Sequence, residues 1–184
     1  MPFVTTEIEG VLIYEPSVYK DDRGYFFESY NEQTFHKEGV TNRFLQDNQS
    51  FSKYGVIRGL HYQLDPHPQT KLVRVLQGKI LDIAVDIRQG SPTFGKYVSV
   101  ELSADNKRQL LVPRGFAHGF SVLSDTAEVS YKCDGLYDKA SEGGIRFDDP
   151  QLNIDWRLPL DKAIVSSKDK DLPLFAECRN NFKF

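Results

Sequence analysis

The stretch Leu81-Asp82-Ile83-Ala84-Val85-Asp86-Ile87 decides the fold. Its aliphatic residues Leu81, Ile83, Val85 and Ile87 recur at every second position, which is the period of a strand; an amphipathic helix would space them by three and four. Working outward, comparable short apolar runs occupy residues 10–16, 24–30, 56–63, 71–76, 97–102, 109–112, 119–123 and 127–133, with Gly, Pro, Asn and Asp punctuating them. Many short strands of even spacing predict an all-β protein, built as an antiparallel barrel or sandwich. Helix is expected only in short pieces, at Glu32–Lys37 and in a turn at 160–164. The C-terminal third, richer in Asp, Lys and Pro, is expected to wrap the barrel without extending it.

Composition sets the bounds around that core. A chain of 184 residues, 40% hydrophobic and 27% charged, suits one domain spanning 1–184. A formal net charge of −3 without runs of like charge offers no footprint for nucleic acid or a membrane surface, so an anionic ligand would have to meet a local basic cluster. Two cysteines, Cys133 and Cys178, are too few for a disulfide framework or a four-cysteine zinc site, and no stretch has the length of a membrane span or the pattern of a signal peptide. A cytoplasmic protein is expected.

Of the four histidines, His36 falls on the polar helix and His67 lies between two prolines, so both are expected on the surface. His61 and His118 fall on strands, in surroundings that resemble the two cupin motifs. Where a metal-binding cupin carries His-x-His and a following Glu, this chain reads His61-Tyr62-Gln63 and then Lys71, with residues 72–77 between it and Gly78. The second motif reads Pro113-Arg114-Gly115-Phe116-Ala117-His118. A protonated lysine cannot ligate a divalent cation and repels one, so metal chemistry is not expected. In a partly dry barrel the same ammonium suits an oxyanion, such as the enolate left when a carbon beside a carbonyl loses its proton.

Inversion at such a carbon needs a base on one face and an acid on the other. A neutral histidine is the natural base. Tyr131 shares its parity with Ala127 and Val129 and should face the barrel interior, where it could serve as the acid. Asp169, Asp82 and Asp86 are candidates for the carboxylate that fixes the histidine's tautomer.

The sequence from Asn48 to Gln63, Asn-Gln-Ser-Phe-Ser-Lys-Tyr-Gly-Val-Ile-Arg-Gly-Leu-His-Tyr-Gln, resembles the signature of the dTDP-4-dehydrorhamnose 3,5-epimerases. Residues 113–120, 22–28 and 91–95, and Lys168-Asp169 followed by Pro173-Leu174, agree with that family over nearly the whole chain. The resemblance implies a dimeric, jelly-roll-like cupin that epimerises a nucleotide-linked 4-keto-6-deoxy sugar without metal or nicotinamide. It makes His61 the base, Asp169 its partner, Tyr131 the acid and Lys71 the enolate stabiliser. It places Arg23, Phe26, Glu28, Gln46, Asn48, Arg58, His118, Glu142 and Lys168 against the ligand, and the Tyr137 ring against thymine. The stretch from Tyr137 to Glu142 departs from the family in lacking a proline before the glutamate.

Two questions stay open at this level. Strict alternation puts Arg58 and His61 on opposite faces, unless Gly59 supplies a bulge. Relatives that epimerise only one of the two carbons, and a cupin that merely binds a nucleotide sugar, are alternatives; the full set of His61, Lys71, Tyr131 and Asp169 speaks against the second.

Overall fold

A computed structural model describes residues 2–184. Thirteen strands follow in order: β1 Phe3–Thr5, β2 Leu12–Tyr14, β3 Tyr19–Asp21, β4 Gly24–Phe26, β5 Gln46–Lys53, β6 Ile57–Gln63, β7 Lys71–Gln77, β8 Lys79–Asp86, β9 Tyr97–Ser103, β10 Gln109–Val112, β11 Phe116–Val122, β12 Thr126–Cys133 and β13 Glu142–Gly144. Helix α1 spans Glu32–Lys37 and the single turn α2 spans Ser167–Lys170, with 3-10 turns at Leu160–Lys162 and Phe175–Glu177.

The strands form two antiparallel sheets, ordered β1-β2-β10-β7-β12-β5 and β13-β6-β11-β8-β9, and a separate β3-β4 hairpin. This is the expected all-β, jelly-roll-like architecture. Between the sheets lies one apolar cluster, including Val73, Val75, Ile80, Ala84, Phe120 and Val129. The aliphatic face of the deciding stretch does not join it. Leu81, Ile83, Val85 and Ile87 pack outward with Trp156, Phe175 and Phe182 of the C-terminal third, which wraps the second sheet as expected. Strand β8 is therefore buried on nearly its whole length, and the residue it turns into the barrel between Ile80 and Ala84 is Asp82.

Helix α1 has the expected bounds and is capped by Asn31, whose side chain accepts from the N–H groups of Gln33 and Thr34. Its single buried residue, Phe35, packs with Tyr14 and Leu72 on the outer face of the first sheet. The run at 24–30 is strand only over Gly24–Phe26, because it pairs with β3 alone, and the run at 119–123 begins earlier, at Phe116. His36 and His67 are exposed, as expected.

Candidate active site

One cavity of about 550 Å³ opens between the sheets and collects Arg58, His61, Lys71, His118, Tyr131, Lys168 and Asp169. Lys71 and Tyr131 also line a second hollow of about 350 Å³, together with Gln46, Asn48, Tyr137 and Glu142. The sheets divide the chemistry between them: His61 and His118 stand on β6 and β11 of one sheet, Lys71 and Tyr131 on β7 and β12 of the other.

The parity problem at Arg58 is resolved by a bulge. The step from Arg58 to His61 on β6 is matched by the shorter step from His118 to Phe120 on β11, so both side chains reach the cavity. Gly59 permits it: its φ of +126 lies where L side chains rarely go, and a Cβ there would stand 2.5 Å from the Cα of Gly119.

His61 Nε2 lies 2.8 Å from Oδ1 of Asp169, which is buried. Asp169 is set by its own neighbours. Its Oδ2 accepts the Gly59 N–H at 3.2 Å, and its backbone N–H donates to the Ser166 hydroxyl that caps α2. Burial pushes the carboxyl up, but the hydrogen bond and charge of His61, with the Gly59 and Ser166 bonds, outweigh it and hold it below the ordinary aspartate value. A carboxylate accepts only, so Nε2 carries the hydrogen and Nδ1 is left as the basic nitrogen of a ring that lines the cavity.

The other two carboxylate candidates go elsewhere. Asp82 Oδ1 lies 2.8 Å from Nε2 of His118, and Asp86 is engaged by Arg88, Ser91 and Thr93.

Burial pushes the Lys71 ammonium below the ordinary lysine value, against the pull of Cys133, Asp82 and Glu142. Burial also raises the Tyr131 hydroxyl, with Cys133 adding and Arg58 opposing, so the phenol keeps its proton. Lys71 Nζ stands 6.0 Å from the centre of the Tyr131 ring. At the mouth, Lys168 Nζ meets Glu142 Oε1 at 2.5 Å, and Arg58 is braced by Ser52 Oγ at 3.0 Å.

The donor set does not suit a divalent cation. No group of three or more His, Cys, Asp or Glu side chains among the described residues is placed to hold one, and the Gln63 amide is spent on the loop that carries Tyr137, donating to His67 O and Leu136 O and accepting from Asp138 N.

Three expected ligand residues are not brought to this cavity. Arg23 lies at the tip of the β3-β4 hairpin, paired with Asp21 at 2.6 Å; Phe26 is 71% exposed; Glu28 accepts from Asn31 and borders a separate hollow with Phe26. Conversely, Ser50 lines the cavity with its hydroxyl buried and unpartnered among the described residues, and was not singled out from sequence. Counting by twos from Asn48 along β5 would have found it.

The sequence matches, over residues 5–177, the protein family described as dTDP-4-dehydrorhamnose 3,5-epimerase. A protein of that name from Shigella flexneri is 54% identical over 170 residues, covering 92% of this chain and 93% of the relative. The crystal structure of the dTDP-4-dehydrorhamnose 3,5-epimerase from Elizabethkingia anophelis superposes with a TM-score of 0.92 at 52% identity, covering 95% of this chain and 96% of that one. The dTDP-6-deoxy-D-glucose-3,5-epimerase from Legionella pneumophila, solved with dTDP-4-keto-L-rhamnose, gives 0.91 at 49% identity, covering 95% and 93%.

Proposed function

The chain belongs to the dTDP-4-dehydrorhamnose 3,5-epimerase family, and we propose that it inverts carbons 3 and 5 of dTDP-4-dehydro-6-deoxy-D-glucose to give dTDP-4-dehydro-L-rhamnose, an isomerase step in dTDP-L-rhamnose biosynthesis. The observation that carries this reading is the placement of His61, tied to Asp169, on one sheet and Tyr131 on the other, both lining one cavity. The C4 ketone acidifies the hydrogens on both neighbouring carbons. His61 Nδ1 takes one of them, the electron pair passes to the ketone oxygen, and the Lys71 ammonium holds the resulting enolate. Tyr131 returns a proton from the opposite face. The imidazolium then loses its proton to solvent and the phenolate regains one, so each inversion exchanges one proton and changes no oxidation state.

In this reading residues 1–184 are one catalytic domain, and Arg58 and Lys168 meet the diphosphate, which brings about two negative charges to an otherwise acidic protein. Gln46, Asn48, Tyr137 and Glu142 line the adjoining hollow where the nucleotide would lie. The cytoplasm suits Cys133 and Cys178, which are both free, and no helix among the described residues is long and apolar enough to cross a membrane.

Arg23, Phe26 and Glu28 favour a homodimer. The hairpin that presents them also exposes Tyr19 and Tyr25, an aromatic surface suited to lie over the cavity of a second copy.

Proton exchange followed by NMR in deuterated water, with dTDP-4-dehydro-6-deoxy-D-glucose as substrate, tests the function. Deuterium at C3 and C5 together with L-configured product is expected. Exchange at one carbon alone would replace the reading with that of a mono-epimerase, and exchange at neither would leave a binding protein.

A further inference from the structure

Asp82 is a carboxylate completely shielded from solvent, and its Oδ2 has no hydrogen-bond partner among the described residues. A buried charge left half-satisfied is costly, and such groups persist where they serve the chemistry. Strand β8 turns Leu81 and Ile83 outward beneath the C-terminal segment, which leaves Asp82 facing the barrel. There it sits diagonally across from His118, whose backbone pairs with Ala84. Because the carboxylate only accepts, His118 Nε2 must carry the hydrogen of their 2.8 Å contact, which sets the orientation of a ring that lines the cavity.

The second neighbour is Lys71. The hollows that Lys71 lines also hold Arg58, His61 and Tyr62 of β6, His118 of β11, Tyr131 of β12, Tyr137, Glu142 of β13, and Lys168 and Asp169 of α2, and the charges of Cys133, Asp82 and Glu142 act on it. Burial opposes the ammonium, and Cys133, Asp82 and Glu142 favour it. Burial pushes the Cys133 thiol up, which leaves it uncharged at neutral pH, and Glu142 already answers Lys168 at 2.5 Å. Asp82 is the one of the three with an oxygen that no other group engages.

We propose that Asp82 is a positioning residue for the reaction: it aims His118 into the cavity and keeps the charge on Lys71, so that the enolate finds an ammonium already in place. The inference rests on the reading of Lys71 as the group that holds the enolate. It also gives the two histidines separate duties, because cross-strand neighbours on one wall cannot serve opposite faces of the sugar.

Asp82→Asn separates this role from simple bracing, since the amide oxygen still accepts from His118 while the charge is gone. With lysine labelled at its ε-carbon with carbon-13, and the Lys71 signal assigned by its loss in Lys71→Met, the titration of Lys71 should move to lower pH in Asp82→Asn. The kcat should fall by at least about tenfold while dTDP binding stays within about twofold. An unmoved Lys71 titration, with or without a lower melting temperature, would overturn the proposal. If Asp82→Asn does not fold, Asp82→Asn/Lys71→Met decides: recovery of folding supports an ammonium left without its counter-charge, and failure of both variants makes Asp82 a fold-stabilising residue and sinks the idea. Absence of deuterium exchange in the unmodified enzyme would instead defeat the function itself, whatever Lys71 does.

Discussion

His61 on β6 and Tyr131 on β12 belong to opposite sheets of the barrel and line the same cavity. A planar enolate bound between them presents one face to a nitrogen and the other to a phenol. Inversion thus follows from the topology, which closes two sheets over one substrate, as much as from the two side chains.

If His61 is the base, replacing it with Asn removes that function and keeps a polar side chain of comparable reach. Deuterium exchange at both C3 and C5 should fall by about 100- to 10,000-fold, with dTDP affinity nearly unchanged, because the base acts on the sugar and not on the nucleotide. Near-normal exchange in this variant would exclude His61 as the base.

Asp169→Asn tests the partner by stability as well as by rate. The folded carboxyl lies below the ordinary aspartate value, so its contribution is full at pH above that value and is lost as pH falls through the folded one. The variant should therefore be less stable than the parent at neutral pH, by roughly 1.5–3 kcal/mol for a charged hydrogen bond, and the gap should close in acid. Denaturant titrations at neutral and acid pH measure it; a gap independent of pH would show that the pair contributes no such linkage.

How much of this was legible in the sequence depended on whether a residue's environment lay nearby in the chain. Period 2 identified β8 at Leu81–Ile87, but it could not say that the aliphatic face would be covered by Trp156 and Phe182, since that covering arrives from the far end of the chain. Strand β5 carries no apolar period-2 signal, because its inward residues Gln46, Asn48 and Ser50 are polar and line the cavity and its neighbouring hollow. Residue pattern alone leaves Asp169 as one of three candidate carboxylates, and only tertiary contact with Gly59 and His61 distinguishes it. The bulge at Gly59 is foreseeable from its glycine, whereas the distance of Arg23 and Glu28 from the cavity is not, because a motif does not say where the tip of the β3-β4 hairpin lies relative to the sheets.

Lys71 should cost the fold stability. Its folded value is depressed, so between that value and the ordinary lysine range the unfolded chain binds more protons, and stability rises with pH there. The cost is fully present below the folded value. Lys71→Met should accordingly be more stable than the parent at neutral pH, on the order of 0.5–2 kcal/mol, with the gain shrinking as pH approaches the ordinary lysine range. Its epimerase activity should be lost. Thermal melts across alkaline pH would contradict this if the variant were less stable at neutrality.

The proposed dimer makes a prediction that no single-chain account shares. Mixing His61→Asn with Arg23→Ala/Glu28→Ala, each nearly inactive alone, should restore activity if the hairpin of one protomer completes the cavity of its partner. After random exchange of protomers, about half the dimers are mixed, each with one intact site, so roughly a quarter of the original activity should return. No recovery, in a sample that sedimentation shows to have exchanged, would place the hairpin outside the site.

Tyr131→Phe separates the steps of the reaction. If His61 removes the proton and Lys71 holds the enolate, the variant can still make the enolate but lacks the donor on the far face. The ring remains to pack against the apolar cluster between the sheets, and the Tyr131 hydroxyl makes no hydrogen bond among the described residues, so folding should be little affected. Exchange should then outlast epimerisation. Solvent deuterium is expected at one or both carbons with retained configuration, while formation of the L-configured product falls by at least about 100-fold. A parallel fall in both would mean that Tyr131 helps to form the enolate or to seat the sugar. A fall in neither would assign the second proton to water reaching the cavity from the mouth beside Lys168, and would leave the phenol as one wall of the site.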